Sequence, residues 1–322
     1  MSVAAVIPHW NRRGLLASLL ENLGRQTRPF DEIIVADNGS SDGSPELAEA
    51  AGARVIRLGS NLGFAAAVNR GVAATRADWI AILNNDVTLE PRWLEILLEN
   101  ADRDGIWFAC GKILRASDPT IIDGTFDEIS RGACAWRSGS GRPDAPVWNE
   151  PRTIGIAPMT AALFRRSLFE EIGPLDQSFE SYLEDVDFGL RCASGGRNGV
   201  YVPAAVAHHI GSATSGEWNK DTVRRIARNQ VLLAKKHLAA FAIWPMLAGQ
   251  LLWGVVACRH GRGLSFVRGK LQGLFSRPVR QSALDPAALR AVVEGSERRI
   301  FELQRETGFD PYWRAYFWLS RR

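Results

Sequence analysis

"ILNNDVTLEPRW", residues 82–93, reads as the end of an apolar strand that breaks into two amides and a carboxylate, Asn84, Asn85 and Asp86, shortly before a helix. The strand extends back through "DWIAIL" (78–83), a continuous apolar run of the kind that a parallel strand buried on both faces needs. "PRWLEILLENA" (91–101) follows at helical spacing, with Pro91 expected in its first turn, where a missing N–H costs nothing.

The same strand–turn–helix unit recurs upstream. "SVAAVIP" (2–8) leads to a leucine-striped helix over 11–26, and a strand at 32–36 leads through a polar turn to "PELAEAA". "ARVIRL" (53–58) leads to the small-residue helix "GFAAAVNRGVAAT" (63–75). Four such alternations predict an α/β fold, a Rossmann-like, mostly parallel sheet flanked by helices.

Ligands of such sheets collect at the carboxyl ends of the strands. Two ends are unusually polar, Asp37-Asn38-Gly39-Ser40-Ser41-Asp42 and Asn84-Asn85-Asp86. Either loop alone has an ordinary explanation, because these residues also make turns and helix caps. Two at one edge point to a ligand. A dinucleotide fingerprint is excluded, since His9-Trp10-Asn11 follows the first strand and no glycine comes before Gly14. No phosphate-binding G-x-x-x-x-G-K-[ST] loop occurs, and Pro8 stands where an aspartyl nucleophile would be needed. There remains a nucleotide held by side chains and a cation: Asp37 can accept from a base or ribose, and Asp86 can hold a hard divalent ion.

Composition bounds the rest. The 322 residues, 46% apolar and 23% charged, suit one large globular domain or two smaller ones. Four scattered cysteines without a C-x-x-C pair argue against a disulfide framework or zinc cluster and suit a reducing compartment. "MSVAAVIPHWN" has no basic leader region, so a cytosolic start is expected, and "NGS" (38–40) reads as a turn. Charge divides the chain: residues 1–219 hold 20 Lys and Arg against 28 Asp and Glu, and residues 220–322 hold 19 against 7. A basic third seeks phosphate-bearing partners, nucleic acid or anionic lipid.

"VIPHWN" (6–11), "IIVADNGSSDGS" (33–44), "NLGFAAAVNRG" (61–71) and "LNNDVTLEPRWL" (83–94) resemble, in order and at matching intervals, the motifs of glycosyltransferase family 2, inverting enzymes of GT-A fold. "AALFRRSLFEEIGPLDQSFESYLEDVDFGLR" (161–191) resembles the family's acceptor-side segment, and "AVAHHIGSATSG" (205–216) its later H-x-x-G stretch. The likeness covers residues 1 to about 220 and is nearest to the rhamnosyltransferase-like members. It implies that Asn84 and Asp86 fill the first and third places of the D-x-D metal motif. Asn replaces the first Asp, which leaves Asp86 as the main carboxylate ligand of Mg²⁺ or Mn²⁺.

The same resemblance makes His208, by its place in H-x-x-G, the expected nitrogen ligand, with His209 as the alternative. It makes Asp185 the general base, with Glu184 beside it and Asp187 and Arg191 orienting or pairing. The acid cluster has a plainer reading as helix N-terminal charge complementing the dipole, and the histidines as backbone caps. Asp37, and less directly Asp42, should contact the nucleotide. Pro8, Asn11 and Asn85 should border it, as should Asn61, Gly63 and Asn69, with Gly63 allowing close approach. Residues 111–155 read as irregular, bordering the acceptor cleft. A catalytic region over 1–219 therefore divides into a nucleotide-sugar part to about 110 and an acceptor part beyond.

Over 220–322 a helical, basic extension is expected. Its uncharged stretch "LAAFAIWPMLAGQLLWGVVAC" (238–258) has basic flanks and two tryptophans, which favours a helix lying in a membrane interface over one buried in the core or one spanning the bilayer. No groove-reading motif appears, so nucleic acid is the poorer partner. The sequence thus points to a peripheral enzyme at the inner face of the membrane, acting on a nucleotide-diphosphate sugar and a glycan or lipid-linked acceptor. Its rivals are a noncatalytic sugar-nucleotide-binding relative and a nucleotidyltransferase.

Overall fold

The computed structural model describes residues 1–103, 105–211, 218–279 and 284–320. The four expected units form. Strands β1 (Val3–His9), β2 (Glu32–Asp37), β3 (Arg54–Arg57) and β4 (Trp79–Leu83) alternate with helices α1 (Arg13–Leu23), α2 (Ser44–Ala50) and α3 (Phe64–Ala73). A three-residue strand, β5 (Val87–Leu89), precedes α4 (Trp93–Ala101). Pro91 therefore lies just before the helix, not in its first turn.

The region expected to be irregular carries short strands over nearly half of its length: the end of β6 (Ile106–Arg115), β7 (Asp118–Gly124), β8 (Asp127–Ile129), β9 (Ala135–Arg137) and β10 (Arg152–Ile154). Its short, bulged pairings, with register shifts between β6 and β7, carry no clean period of two. The "SGSGRPDAP" stretch does form a loop. Beyond it come β11 (Ala161–Arg165), α5 (Arg166–Glu171), α6 (Glu184–Ser194) and β12 (Asn198–His209).

The main sheet runs β10-β12-β6-β11-β4-β1-β2-β3, with β5 and β7 paired to β12 and β6. Its β3-β2-β1-β4 half is parallel, as the alternation requires. The other half is mixed, because β11 runs antiparallel to both β4 and β6. The apolar runs Val3–Ile7 and Trp79–Leu83 are fully buried between helices, which is why they lack polar alternation.

Helices α7 (Lys220–Leu233), α8 (Ile243–Arg259), α9 (Gly263–Phe275), α10 (Pro286–Thr307) and α11 (Pro311–Ser320) close the chain, with a single π-helical turn at Ala234–Leu238. Among the described residues no helix is long and apolar enough to cross a membrane. The C-terminal helices join the same core as the sheet: Trp136 of β9 packs edge-on against Trp148 and against Trp313 of α11, both at 6.4 Å between centroids.

A buried ionic cluster ties α6 to the π-helical turn. The fully buried Asp187 accepts from Arg191 Nε at 3.1 Å and lies 2.7 Å from His237 Nε2 and 2.8 Å from Lys236 Nζ. Lys236 also reaches Asp176 at 3.0 Å. Burial raises the Asp187 pKa, but the His237 hydrogen bond and the three cations outweigh it and hold the carboxyl well below its usual range. A depressed carboxyl contributes stability that is present above the unfolded value near 3.8 and lost as pH falls. Asp187→Asn should therefore cost about 3–5 kcal/mol in denaturant unfolding at neutral pH, the usual scale for breaking a buried ion pair, and the deficit should shrink as the pH is lowered.

Candidate active site

The site is built where β1, β2 and β4 end. His9 and Asp37 are register partners at the ends of β1 and β2. The buried Asp37 carboxylate accepts the N–H groups of Gly39, at 3.2 Å, and of Ser40, at 3.1 Å, and so folds the polar loop back on the strand. Asn11, in the left-handed region, accepts from Ser41 N through Oδ1 at 3.0 Å and donates its own N–H to Ser40 Oγ at 2.8 Å. The two loops are thereby locked together beside Pro8. Asn85 Nδ2 donates to His9 Nδ1 at 2.8 Å, and His9 Nε2 is buried without a partner. Burial pushes the His9 pKa down against the pull of Asp37 and Asp42, so the ring is neutral at pH 7.

Some residues expected around the nucleotide are occupied by the chain itself. Asp42 accepts from Arg13 N at 2.8 Å and from Ser44 N at 3.1 Å, holding together the first turns of α1 and α2. The Asn69 amide bridges both backbone groups of Leu175, each at 2.9 Å. Asn61 accepts from Gly63 N at 3.1 Å. Gly63 does permit a close approach, but to the chain: a β-carbon there would stand 2.7 Å from the Glu180 carbonyl oxygen, at a φ of +90°. Gly63 and Asn69 thus pin α3 to the loop before α6.

The second constellation gathers around Asp86, which is 9% exposed. His209 Nε2 lies 3.1 Å from Asp86 Oδ1, and its Nδ1 lies 2.9 Å from Asp123 Oδ2. Of the two histidines named from the sequence, it is the alternative, His209, and not His208, that stands beside Asp86. On β12, antiparallel to β5, His209 pairs with Val87 and His208 with Thr88. Neighbouring side chains on a strand face opposite ways, so His208 turns to Glu90, 2.7 Å from Nε2. Burial lowers the His209 pKa, but hydrogen bonds and charge from Asp123 and Asp86 outweigh it and raise it to about 9. Asp123 falls in the stretch that read as irregular, and no motif marks it. Residues 212–216 of the H-x-x-G stretch lie outside the described residues.

The donor set suits a divalent cation. One buried carboxylate and one imidazole share a point, and Asp123 meets the far ring nitrogen, as the carboxylates behind metal-bound histidines do. Among the described residues no group of three or more His, Cys, Asp and Glu side chains is arranged to hold a metal. The protein's share would thus be two ligands, leaving the rest to phosphate and water oxygens, as hard cations at nucleotide sites usually require.

The acids of α6 stand next to this pair. Strand β11 pairs with β4, so Asn84 N–H donates to Thr160 O at 2.9 Å. Thr160 Oγ1 lies 3.4 Å from Arg137, and the adjacent Met159 N–H reaches the Asp185 carboxylate. Two consecutive residues thus link the Asp86 turn to the start of α6. Arg137, missed in the sequence because nothing marks β9, sits between Asp127, at 3.4 Å, and Asp185, at 4.0 Å. Burial raises the Asp185 pKa and the Arg137 charge opposes it. Asp127, fully buried and beside Asp185, is pushed up to about 7. Glu184 is raised well above its usual range by burial and the Asp185 charge, and its Oε2 has no partner, which fits a protonated side chain. Asp185 is the member with partial access, at 15% exposure of its side chain.

The chain is similar to known proteins in sequence and in fold. The family described as Glycosyl transferase family 2 matches residues 4–173. An N-acetylglucosaminyl-diphospho-decaprenol L-rhamnosyltransferase of Mycobacterium tuberculosis is 30% identical over 248 residues, covering 69% of this chain and 80% of its own length. Among solved structures, a mannosyltransferase of Pyrobaculum calidifontis in complex with GDP-Man and Mn²⁺ aligns with a TM-score of 0.55 at 16% identity, over 98% of this chain and 85% of that one. GalNAc-T7 with UDP, GalNAc and Mn²⁺ aligns with a TM-score of 0.65 at 12% identity, over 97% of this chain and 59% of that one. These two likenesses concern the GT-A fold alone. With more than half of its length matched by the family and a similar enzyme over two thirds of it, the chain belongs to glycosyltransferase family 2 and is a glycosyltransferase.

Proposed function

We propose that the enzyme moves a sugar, dTDP-rhamnose being the first donor to test, onto a hydroxyl of a glycan or lipid-linked acceptor with inversion at the anomeric carbon. The observation that carries this reading is the convergence of Asp86, His209 and Asp185 through Thr160 and Met159. The rhamnosyltransferase relative supports the donor and a polyprenyl-diphosphate-linked acceptor, and the Mn²⁺ in both structural neighbours supports a divalent cation. Residues 1–219 would do the chemistry, and residues 220–322 would place it at the cytoplasmic face of a membrane.

In this account Asp37 and the Asn11–Ser40 loop receive the nucleoside, with Pro8 and Asn85 along the floor. Asp86 and His209 hold the cation, with Asn84 at the turn before them. When bound, it supplies charge stabilisation to the departing diphosphate, worth several kcal/mol in such sites. Asp185 takes the proton of the acceptor hydroxyl as its oxygen bonds to the anomeric carbon and the bond to the diphosphate breaks. Arg137 keeps Asp185 ionised amid Asp127 and Glu184, and burial of the cleft limits water as a competing acceptor.

Product formation from a panel of nucleotide sugars, with a synthetic lipid-linked acceptor, tests the reading directly. Asp185→Asn should lower kcat by about 10²- to 10⁴-fold with little change in donor KM; unchanged kcat would remove Asp185 from the chemistry. Arg137→Ala should shift the acid limb of the kcat/KM profile to higher pH, because the cation that opposes Asp185 protonation is gone.

Cation binding should separate the two histidines. His209→Ala should abolish Mn²⁺ dependence and His208→Ala should leave it intact. Asp123→Asn should weaken Mn²⁺ by about 10- to 100-fold, the usual cost of losing an outer-shell partner. The cation must displace the His209 proton, so its apparent affinity should climb as pH rises toward about 9. In chelator the sign reverses for stability: a raised histidine contributes fully below its unfolded value near 6.5 and loses that contribution as pH rises through about 9. Wild type should therefore lose stability over that window in chelator, and His209→Ala should not.

A further inference from the structure

Helices α8 and α9 form a hairpin, joined by a turn at His260–Arg262, whose outer surface is apolar. On α8 the exposed positions Ile243, Leu247, Leu251 and Val255 recur every fourth residue. On α9, Leu264, Val267, Leu271 and Leu274 form a second stripe, ending in Phe275, which is 86% exposed. Trp244 Nε1 donates to Leu319 O at 2.9 Å and so brings the start of α8 to α11, where Trp318 is 79% exposed.

Among the described residues these stripes have no partner within the chain. The opposite face of α8 is already buried through Pro245, Ala248, Gly249 and Ala257, with Tyr312 donating to Gly249 O at 3.1 Å. The opposite face of α9 seats Gly269 and Gly273 against α7, so closely that a β-carbon at Gly273 would stand 2.7 Å from Arg228 O. At 17 residues, α8 is about 26 Å long, short of the ~30 Å hydrocarbon core, and only one of its faces is free. Such a helix can lie along an interface but cannot cross one.

Charge decides between a bilayer and a second copy of the chain. From residue 222 to 284 the sequence carries eleven Lys and Arg and no Asp or Glu. Arg259, Arg268 and Arg277 are exposed on or beside the hairpin. A second copy would oppose one cationic surface with another, whereas anionic headgroups complement it. The hairpin also adjoins the chain leaving the site: Trp218 stacks on His260 at 3.7 Å, nine residues after His209.

We propose that the outer faces of α8 and α9, with Trp318, are a docking surface for an anionic lipid bilayer. Apolar side chains enter the headgroup boundary and arginines meet lipid phosphates. That docking presents a membrane-held acceptor to Asp185 rests on the transferase reading above; the lipid binding itself does not.

The test is co-sedimentation of the full chain with vesicles of phosphatidylcholine alone or with about a third phosphatidylglycerol, at low and high salt. Binding should be at least about tenfold stronger to the anionic vesicles at low salt and should fall with salt. Leu251→Glu/Leu271→Glu should reduce binding by about tenfold or more, with Tm and nucleotide affinity unchanged. Arg268→Glu/Arg277→Glu should remove the preference for anionic lipid. Failure to bind either vesicle, or binding indifferent to both pairs of substitutions, would overturn the proposal. A dimer in sedimentation equilibrium that Leu251→Glu dissociates would also overturn it, because a second copy would then cover the face. Vesicle binding without transfer from any donor would leave the surface standing and remove the transferase account of it.

Discussion

β12 is held along its last residues by β5 on one side and β6 on the other, and this double pairing fixes which of two adjacent histidines faces the cleft. A slip of one residue would carry His209 to the Glu90 side and bring His208 over Asp86, since side chains alternate along a strand. The ends of β4, β5 and β12 and the β7 residue Asp123 therefore form one unit. If the short pairing of β5 were lost, Asp86 would keep its place at the strand end, but its imidazole partner would have no fixed position.

Helix α6 carries acids with opposite electrostatic fates within one turn. Glu184 and Asp185 face a buried cluster with Asp127, where burial raises all three pKa values and the Asp185 charge adds to the rise at Asp127 and Glu184. Asp187 turns the other way, into Arg191, Lys236 and His237, and is held low. The two sets differ accordingly: the first includes the proposed base, and the second fastens the helix. The fastening residues Lys236 and His237 lie in the π-helical turn, so the C-terminal helices help to fix the orientation of the proposed base. Gly63 and Asn69 do the same from the nucleotide side by pinning α3 to the loop before α6.

The parallel half of the sheet was legible because buried strands there are unbroken apolar runs and their helices keep a clean period. The mixed half was not. Strands β5, β8, β9 and β10 are three residues each, too short for periodicity, and their pairing is decided by distant partners. The missed site residues fall there: Asp123 and Arg137 acquire meaning only when β7 and β9 come to the sheet. The adjacent histidines were legible as a pair but not individually, because motif spacing does not record which face of a strand is buried. The contacts of Asn69 and Gly63 with the loop before α6 were hidden for a related reason: an amide and a glycine near a strand edge look alike whether they meet a ligand or a neighbouring loop.

Asp86 and His209 are proposed to hold a cation that carries a nucleoside diphosphate. Thermal unfolding with dTDP and other nucleoside diphosphates, with and without Mn²⁺, on wild type and Asp86→Ala tests it most directly. A ligand that binds only the folded state stabilises by about 2.7 kcal/mol at a hundredfold excess over Kd, a shift of several degrees in Tm. A Mn²⁺-dependent rise with one nucleotide is expected in wild type and none in Asp86→Ala. An equal rise in both proteins, or one indifferent to Mn²⁺, would contradict it.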